Sequence, residues 1–269
     1  MGDTVKVNAI GDVTVFNYTK DTDLQPAQAL TDAQTMLVIN QAKAYNFELD
    51  DVDAAQSSVS VMSAAMRWAA YKIALTEDQF YAGFYTDAIT ANLVGSSASP
   101  VVPQAATQAN IGGGQTVYDY LVTLGQYLNQ AGIPKQQRWC VVPPWVTTYL
   151  LEDIRFTSFN TPEARMTIKT GKLDTSGGKA ADAYIGQING MDTYESLNAA
   201  HLGGTVGITG SQDVVMAGHS MALTKAEGLV KTEAYRPPLR FADAVKGLAL
   251  FGAKTMRPYG IAVAYLQHP

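Results

Sequence analysis

The residues with the most recognisable chemistry lie in the last quarter of the chain. Gly218-His219-Ser220 follows an apolar run that predicts a strand, and a serine at such a strand end can be exposed as a nucleophile. Ser220, Asp243 and His268 even stand in the order nucleophile, acid and base. Against this, Ala222 occupies a position where the turn needs a glycine, the chain ends soon after Ser220, and we expect the terminus at His268 to fray. The segment therefore favours a short helix of small residues packed on a sheet, with a serine hydrolase as the alternative.

The other candidate motifs predict no catalytic, cofactor or metal site. Gly112-Gly113-Gly114 and Gly171-Lys172 lack the remaining residues of a phosphate-binding loop. Asp50-Asp51 lacks the glycine and distal glutamate of a calcium loop, so we interpret it as a helix N-cap. Cys140 is the one cysteine and lies in an apolar run, which predicts a buried, unreactive thiol. One cysteine and three histidines leave little from which to build a metal centre.

The composition excludes some functions and leaves two interpretations open. The 269 residues carry 19 basic and 24 acidic side chains, a net charge of −5 that argues against a basic nucleic-acid-coating protein. No apolar run reaches the roughly 18 residues of a membrane helix, and the N-terminus lacks an apolar leader, so we expect an intracellular protein with no membrane partner. Charged residues make up only 16% of the chain, against a usual value of about 25%. This depletion is either a peculiarity of the sequence or the sign of a subunit whose surface lies within contacts.

The N-terminal third predicts a hairpin and then a long helix. Valine alternates at every second position in 4–7 and 12–15, and strand-like runs return at 35–39 and 45–49 after a polar loop over 17–34. Such a hairpin has too little apolar content for a core of its own, so we expect it to pack against another surface. Apolar residues then recur every three or four positions, which predicts an amphipathic helix from residue 52 to about residue 89.

The remaining two thirds predict a compact region of mixed helices and strands. Residues 94–115 are rich in Gly, Ser, Ala and Pro and mark a boundary. Past a polar loop at 156–179, short strands are expected within 183–196, at 206–208 and at 214–216, and extended runs over 229–267. Helices are predicted at 117–130, 145–153 and 220–227, with a short strand at 139–142. This order of elements is typical of an α+β fold rather than of alternating βαβ units.

Six short segments resemble the major capsid proteins of tailed bacteriophages. They occur in the family's order and extend over nearly the whole chain, although each alone is weakly specific. The segments are INQAKAYNFELDDVDAAQ at 39–56, GIP at 132–134, RWCVVPP at 138–144, EAYRP at 233–237, FADAVKG at 241–247 and FGAKTMRP at 251–258.

The resemblance implies an HK97-type fold with four segments along the chain. Residues 1–50 would form the extended hairpin loop, and residues 51–110 the peripheral domain with its long spine helix. Residues 111–232 would form the axial domain, and residues 233–269 would return as strands of the peripheral domain. Family members usually carry a substantial arm before the extended loop, whereas this sequence begins almost at the hairpin.

The same resemblance implies a structural function and a set of partners. Copies of the chain would assemble as hexamers and pentamers into an icosahedral shell enclosing double-stranded DNA, without sequence-specific binding. Portal, scaffolding and decoration proteins would be further partners, and the protein would be assembled in the host cytoplasm and reside in the virion. A nanocompartment shell of the same fold, built like an encapsulin and carrying enzyme cargo, is the alternative. The expected subunit-interface residues are Lys6, Tyr18, Lys20, Leu24, Phe47, Arg236, Phe241 and Arg257.

The hairpin yields a prediction that separates folding from assembly. Replacing residues 18–33 by a short Gly-Ser closure should leave the body folded, because Tyr18, Leu24 and Leu30 are the main large apolar residues removed. In a shell, however, losing about 1.4 kcal/mol per contact weakens each association about tenfold. We expect near-native circular dichroism together with absent or fragile shells in electron micrographs. Normal shells, or an unfolded body, would contradict the prediction.

Overall fold

The structure is a computed structural model that describes residues 4–10, 15, 17, 20, 23, 32–56, 61–104, 116–153, 183–204 and 209–269. The predicted loop at 156–179, the predicted strand at 206–208 and most of the predicted loop at 17–34 lie outside the described residues. The chain divides into two compact units. The first unit consists of Met1–Ala64 and Lys225–Lys254, and the second of Ala65–Thr224 and Thr255–Pro269.

A two-stranded antiparallel hairpin opens the first unit. Strand β1, Thr4–Ile10, pairs with β2, Asp32–Val38, so that Thr4 lies opposite Val38 and Ile10 lies opposite Asp32. This pairing confirms that two extended arms form a hairpin. The second arm differs from the prediction, because β2 begins at Asp32, inside the predicted loop, and the run at 45–49 belongs to a separate sheet. The prediction that one arm includes residues 12–15 falls almost entirely outside the described residues.

A three-stranded sheet forms the rest of the first unit, in the order β10-β11-β3. Strands β3, Gln41–Asp50, and β11, Ala242–Thr255, are antiparallel, and β10 spans Leu223–Tyr235. The prediction of a helix over 220–227 is wrong, because a turn at 220–222 leads directly into β10. Pairing along β11 outweighs the helix propensity of this short segment.

The predicted long helix ends earlier than expected. Helix α1 spans Asp51–Gln56 and α2 spans Val61–Ala82, while residues 57–60 lie outside the described residues. The prediction that the helix continues to about residue 89 is wrong, because a 3-10 helix, Gly83–Asp87, follows α2. The amide of Val52 donates to the Asp50 carboxylate at 2.9 Å, which confirms the predicted N-cap. None of the described helices combines the length and apolar character required to cross a bilayer.

A seven-stranded mixed sheet forms the centre of the second unit. Its path runs β4-β12-β9-β5-β7-β6, with β8 paired to β9. The β5–β7 and β12–β4 pairs are parallel, and the other pairs are antiparallel. The strands are β4 Leu93–Val94, β5 Arg138–Val142, β6 Tyr184–Ile188, β7 Met191–Glu195, β8 His201–Gly203, β9 Gln212–His219 and β12 Ile261–Gln267.

Two helices cover this sheet and close its core. Helix α3, Val117–Gln130, begins at a capping box in which the Thr116 hydroxyl and the Asp119 carboxylate bond reciprocally with the backbone. Helix α4, Pro144–Glu152, begins with a proline in its first turn. Both helices and the strand before α4 confirm the predictions to within one residue. Buried side chains of the core include Leu121, Leu124, Leu128, Val146, Leu150, Met191, Val215 and Leu266.

Gly252 tests how tightly the first unit is packed. A Cβ at this position would lie 2.4 Å from the Val38 carbonyl oxygen and 2.9 Å from the Ile39 Cα, so backbone must move to admit it. We expect Gly252→Ala to lower the free energy of unfolding by about 1–3 kcal/mol, measured by urea denaturation. Gly228→Ala is the matched control, because its Cβ would meet nothing closer than Leu250 Cβ at 3.4 Å. Equal stability of the two variants would contradict this packing.

Candidate subunit interface

The turn between β10 and β11 presents two large apolar side chains to solvent. This turn, residues 237–241, is called the sheet-end turn below. Leu239 is 95% exposed and Phe241 is 83% exposed. The Asp51 amide donates to the Phe241 carbonyl at 3.0 Å, which joins the turn to the start of α1. The turn is thus held by its neighbours while its apolar side chains remain uncovered.

Arginine–carboxylate pairs flank these apolar side chains. Arg236 pairs with Asp51, and its Nε lies 3.5 Å from an Asp243 oxygen. Arg240 pairs with Glu48 on β3. All of these side chains are substantially exposed, and an exposed pair contributes only about 0–1 kcal/mol to folding. The pairs orient the turn more than they stabilise it.

The three-stranded sheet that ends at this turn carries aromatic and charged contacts. The rings of Tyr45 and Phe47 stack with centroids 5.9 Å apart, while the Tyr235 hydroxyl donates to the Asn46 side chain at 3.0 Å. Lys246 lies 5.3 Å from the centre of the Tyr235 ring. Glu233 accepts hydrogen bonds from the ammonium groups of Lys231 and Lys246, and these bonds lower the pKa of its carboxyl group.

The predicted interface residues are distributed over both units. Arg236 and Phe241 both contact Asp51, and Phe47 is half-buried on β3. Lys6 on β1, Lys20 and Arg257 are exposed, and Arg257 lies in the second unit. Tyr18 and Leu24 lie outside the described residues. The participation of these eight residues in subunit contacts remains a prediction.

The residues of the hydrolase alternative are engaged elsewhere. The Ser220 hydroxyl donates to the Gln137 side chain at 2.9 Å, and Asp243 faces Arg236. The expectation that the chain end frays is wrong, because the His268 amide donates to the Ser211 carbonyl at 2.8 Å. The His268 ring packs edge-on against Trp145 with centroids 4.9 Å apart. None of these recorded contacts joins Ser220 to a carboxylate or an imidazole.

Cys140 lies in the core of the second unit. Its side chain is fully buried, which confirms the predicted burial. Burial raises the pKa of the thiol to about 12, so the thiolate is scarce near neutral pH. The thiol is therefore poorly suited to nucleophilic chemistry.

A polar network around Asp213 was not predicted from the sequence. The buried Asp213 carboxylate accepts the Trp145 indole N–H at 2.7 Å and contacts His201 Nδ1 at 2.8 Å. The other ring nitrogen of His201 lies 3.0 Å from the Gly204 carbonyl oxygen. Because both neighbours are acceptors, the ring is best satisfied when both nitrogens carry protons. The hydrogen bond to Asp213 and that to Gly204 raise the pKa of His201.

Arg138 is a second polar feature that the sequence did not indicate. Its guanidinium group is buried and donates to the carbonyls of Pro134 at 2.8 Å, Ile133, and Gly125 at 3.4 Å. It also donates to the Asn129 side-chain oxygen at 2.9 Å. These oxygens lie at and just beyond the C-terminal part of α3, where a cation is electrostatically favoured. Arg138 therefore ties β5 to the end of that helix.

Comparisons with known proteins identify the fold. No family model matches the sequence, and no curated protein matches it. A solved structure from Mycobacterium phage Che8 is 24% identical, covers 98% of this chain and 85% of its own, and has a TM-score of 0.70. The capsid structure of cyanophage P-SCSP1u is 15% identical, with coverage of 100% and 85% and a TM-score of 0.66. The mature capsid of bacteriophage PhiM1 is 13% identical, with coverage of 98% and 82% and a TM-score of 0.61.

These likenesses extend along essentially the whole chain and include structures described as phage capsids. They confirm the predicted α+β fold of the HK97 type.

The His201–Asp213 contact predicts a pH-dependent stability. A raised pKa means that the folded state binds a proton more tightly than the unfolded state, whose pKa lies near 6.5. The contribution is complete below that value and is lost as the pH rises through the folded pKa. We therefore expect the melting temperature of the wild type to fall over this interval relative to that of His201→Gln, measured by calorimetry. Parallel pH profiles for the two proteins would contradict the assignment.

Proposed function

We propose that this chain is the major capsid protein of a tailed bacteriophage. Copies assemble as hexamers and pentamers into an icosahedral shell that encloses double-stranded DNA, and the role is structural rather than catalytic. The observation that carries the proposal is the likeness to phage capsid structures over 98–100% of this chain and 82–85% of theirs.

The surface of the chain supports this function independently. Helix α2 is 22 residues long and has no buried side chain. Trp68 and Tyr71 on this helix are 64% and 55% exposed, and Leu197 in the second unit is 77% exposed. Large apolar side chains exposed at several places, together with a charged fraction of only 16%, suit a protein whose surface is covered by other copies.

The net charge supports the proposed contents of the shell. DNA binding by proteins rests largely on Lys and Arg contacts to phosphates. With 24 acidic and 19 basic side chains, the chain has a net charge of −5 and attracts duplex DNA weakly at most. A wall of this charge encloses DNA without holding it at fixed sites.

The roles of the segments follow from the same proposal. Residues 1–50 form the loop that lies over a neighbouring subunit, and residues 111–232 form the axial domain around five-fold and six-fold axes. Residues 51–110 and 233–269 form the peripheral domain. Portal, scaffolding and decoration proteins are the proposed partners, with assembly in the host cytoplasm and a final location in the virion.

Assembly is the decisive test of this function. We expect the purified wild-type chain to sediment as closed particles or as hexamers and pentamers, and negative-stain micrographs to show icosahedral shells. A monodisperse 28.8 kDa species at high concentration would contradict the proposal. Shells isolated from the natural source should protect double-stranded DNA from nuclease. Shells that instead enclose an enzyme and no DNA would identify the nanocompartment alternative.

A further inference from the structure

We propose that helix α2 carries a docking face, the α2 face, for an acidic amphipathic helix of a different protein. The α2 face consists of Arg67, Trp68, Tyr71, Lys72 and Leu75. Helix α2 has no buried side chain, and Trp68 and Tyr71 are 64% and 55% exposed. Leu75 is half-buried. The described residues leave the two aromatic rings open, so another molecule can cover them.

The spacing of the apolar side chains is that of a seam between packed helices. Residues 68, 71 and 75 are separated by three and then four positions, as are positions a, d and a of a heptad. Their side chains therefore lie in one row along α2. The rings of Trp68 and Tyr71 meet edge-on with centroids 5.8 Å apart, which makes the row continuous. Such a row receives the apolar side chains of a facing helix.

The charges beside this row set the sign of the partner. Arg67 and Lys72 occupy the g and e positions on either side of the row, and both are exposed. Within the described part of the chain, no ion pair engages either of them. The acidic residues of α2, Glu77 and Asp78, come after Leu75. Carboxylates at the e and g positions of the facing helix would therefore complete the contact.

The same charges argue against a second copy of α2 as the partner. Two α2 faces packed together would place Arg67 and Lys72 of each copy beside those of the other, and like charges across an interface weaken association. Among the other described α-helices, α1 is six residues long, while α3 and α4 bury apolar side chains in the core of the second unit. Duplex DNA would engage the two basic residues but would leave the aromatic rings uncovered. An acidic helix from a different protein suits both features.

Peptide binding to the unassembled full-length chain tests the inference. The probe is a labelled synthetic peptide of about three heptads, with leucine at a and d and with glutamate at e and g, where like charges keep it from pairing with itself. We expect this glutamate peptide to bind, measured by fluorescence anisotropy, and a lysine peptide, with lysine at e and g, not to bind. Of the three tryptophans only Trp68 is exposed, so binding should shift its emission to the blue.

Two double variants assign the binding to the α2 face. Trp68→Ala with Tyr71→Ala should weaken binding of the glutamate peptide about tenfold or more, because both aromatic anchors are lost. Arg67→Glu with Lys72→Glu should abolish that binding and create binding of the lysine peptide, because the flanking charges are reversed. Both variants should keep the wild-type circular dichroism, since all four side chains are exposed.

Matched controls carry the same changes elsewhere on the second unit. Leu197→Ala removes an apolar side chain that is 77% exposed. Lys135→Glu with Arg257→Glu changes the net charge as much as the reversal on the α2 face does, at two other exposed positions. Both controls should bind the glutamate peptide as tightly as the wild type. A tenfold loss in either would show attraction without a site and would overturn the inference.

The outcomes separate this inference from the proposed function. Absence of binding, or equal binding by the wild type and the double alanine variant, overturns the inference. Tighter binding of a short DNA duplex that the charge reversal abolishes would assign the α2 face to nucleic acid and overturn it too. If the double alanine variant no longer assembles when no peptide is present, another copy covers the face, which also overturns it. A wild type that binds the glutamate peptide but never forms shells would overturn the capsid function and leave this contact standing.

Discussion

The second unit depends on the burial of its last strand, β12. All six residues from Ile261 to Leu266 are buried, and the strand lies between β4 and β9 in the sheet. Ala262, Ala264 and Leu266 face the cluster formed with α3 and α4, while Val263 and Tyr265 belong to a second cluster. Burial on both faces explains why this strand is a continuous apolar run rather than an alternating one. The sheet is complete only when β12 has paired with β4 and β9. Because β4 is distant from β12 in the sequence, this non-local pairing slows folding.

The first unit is held together in a different way. Its three-stranded sheet has half-buried side chains alternating with exposed ones along β3, and its ion pairs are open to solvent. Exposed pairs of this kind contribute little to stability. Buried side chains along β11, among them Val245, Ala249 and Phe251, supply the unit's apolar contacts. In the proposed shell, contacts with other copies would cover surfaces that the unit already holds in position.

The sequence predicted those elements whose signals are local. The helices predicted at 117–130 and 145–153 agree with α3 and α4 to within one residue, and Pro144 begins α4 as expected. The first residues of β10 were predicted as a helix, because their strand structure is decided by pairing with β11 and not by their own types. The second half of β10 falls within the extended run predicted over 229–267. The family resemblance, rather than periodicity, supplied the HK97-type architecture, because sequence patterns specify elements but not how they are joined.

The candidate site was predictable only in part, for a related reason. Arg236 and Phe241 were identified from their sequence segments. Leu239 was not, because its side chain stands out only by being 95% exposed, and no local sequence pattern reveals that. The His201–Asp213 contact and the buried Arg138 were missed because their partners come from separate elements. Aspartate and arginine normally occupy solvent-exposed positions, and nothing in the sequence marks Asp213 and Arg138 as buried.

The distribution of exposed apolar side chains bears on the proposed assembly, which makes two opposing demands on a chain. Such a chain must remain soluble before assembly and yet bury apolar surface afterwards. Among the described residues, the large apolar side chains that are more than 70% exposed are Val15, Leu197, Val230, Leu239 and Phe241. Leu239 and Phe241 share one turn, and the others lie on separate elements. Singly placed apolar residues are ordinary on soluble proteins, whereas one large patch would promote aggregation. Contacts built on a few residues are weak in solution, but a closed symmetric shell repeats each of them at every subunit. In the proposed shell, assembly becomes favourable only when many contacts form together, and the low charged fraction of this chain fits such an arrangement.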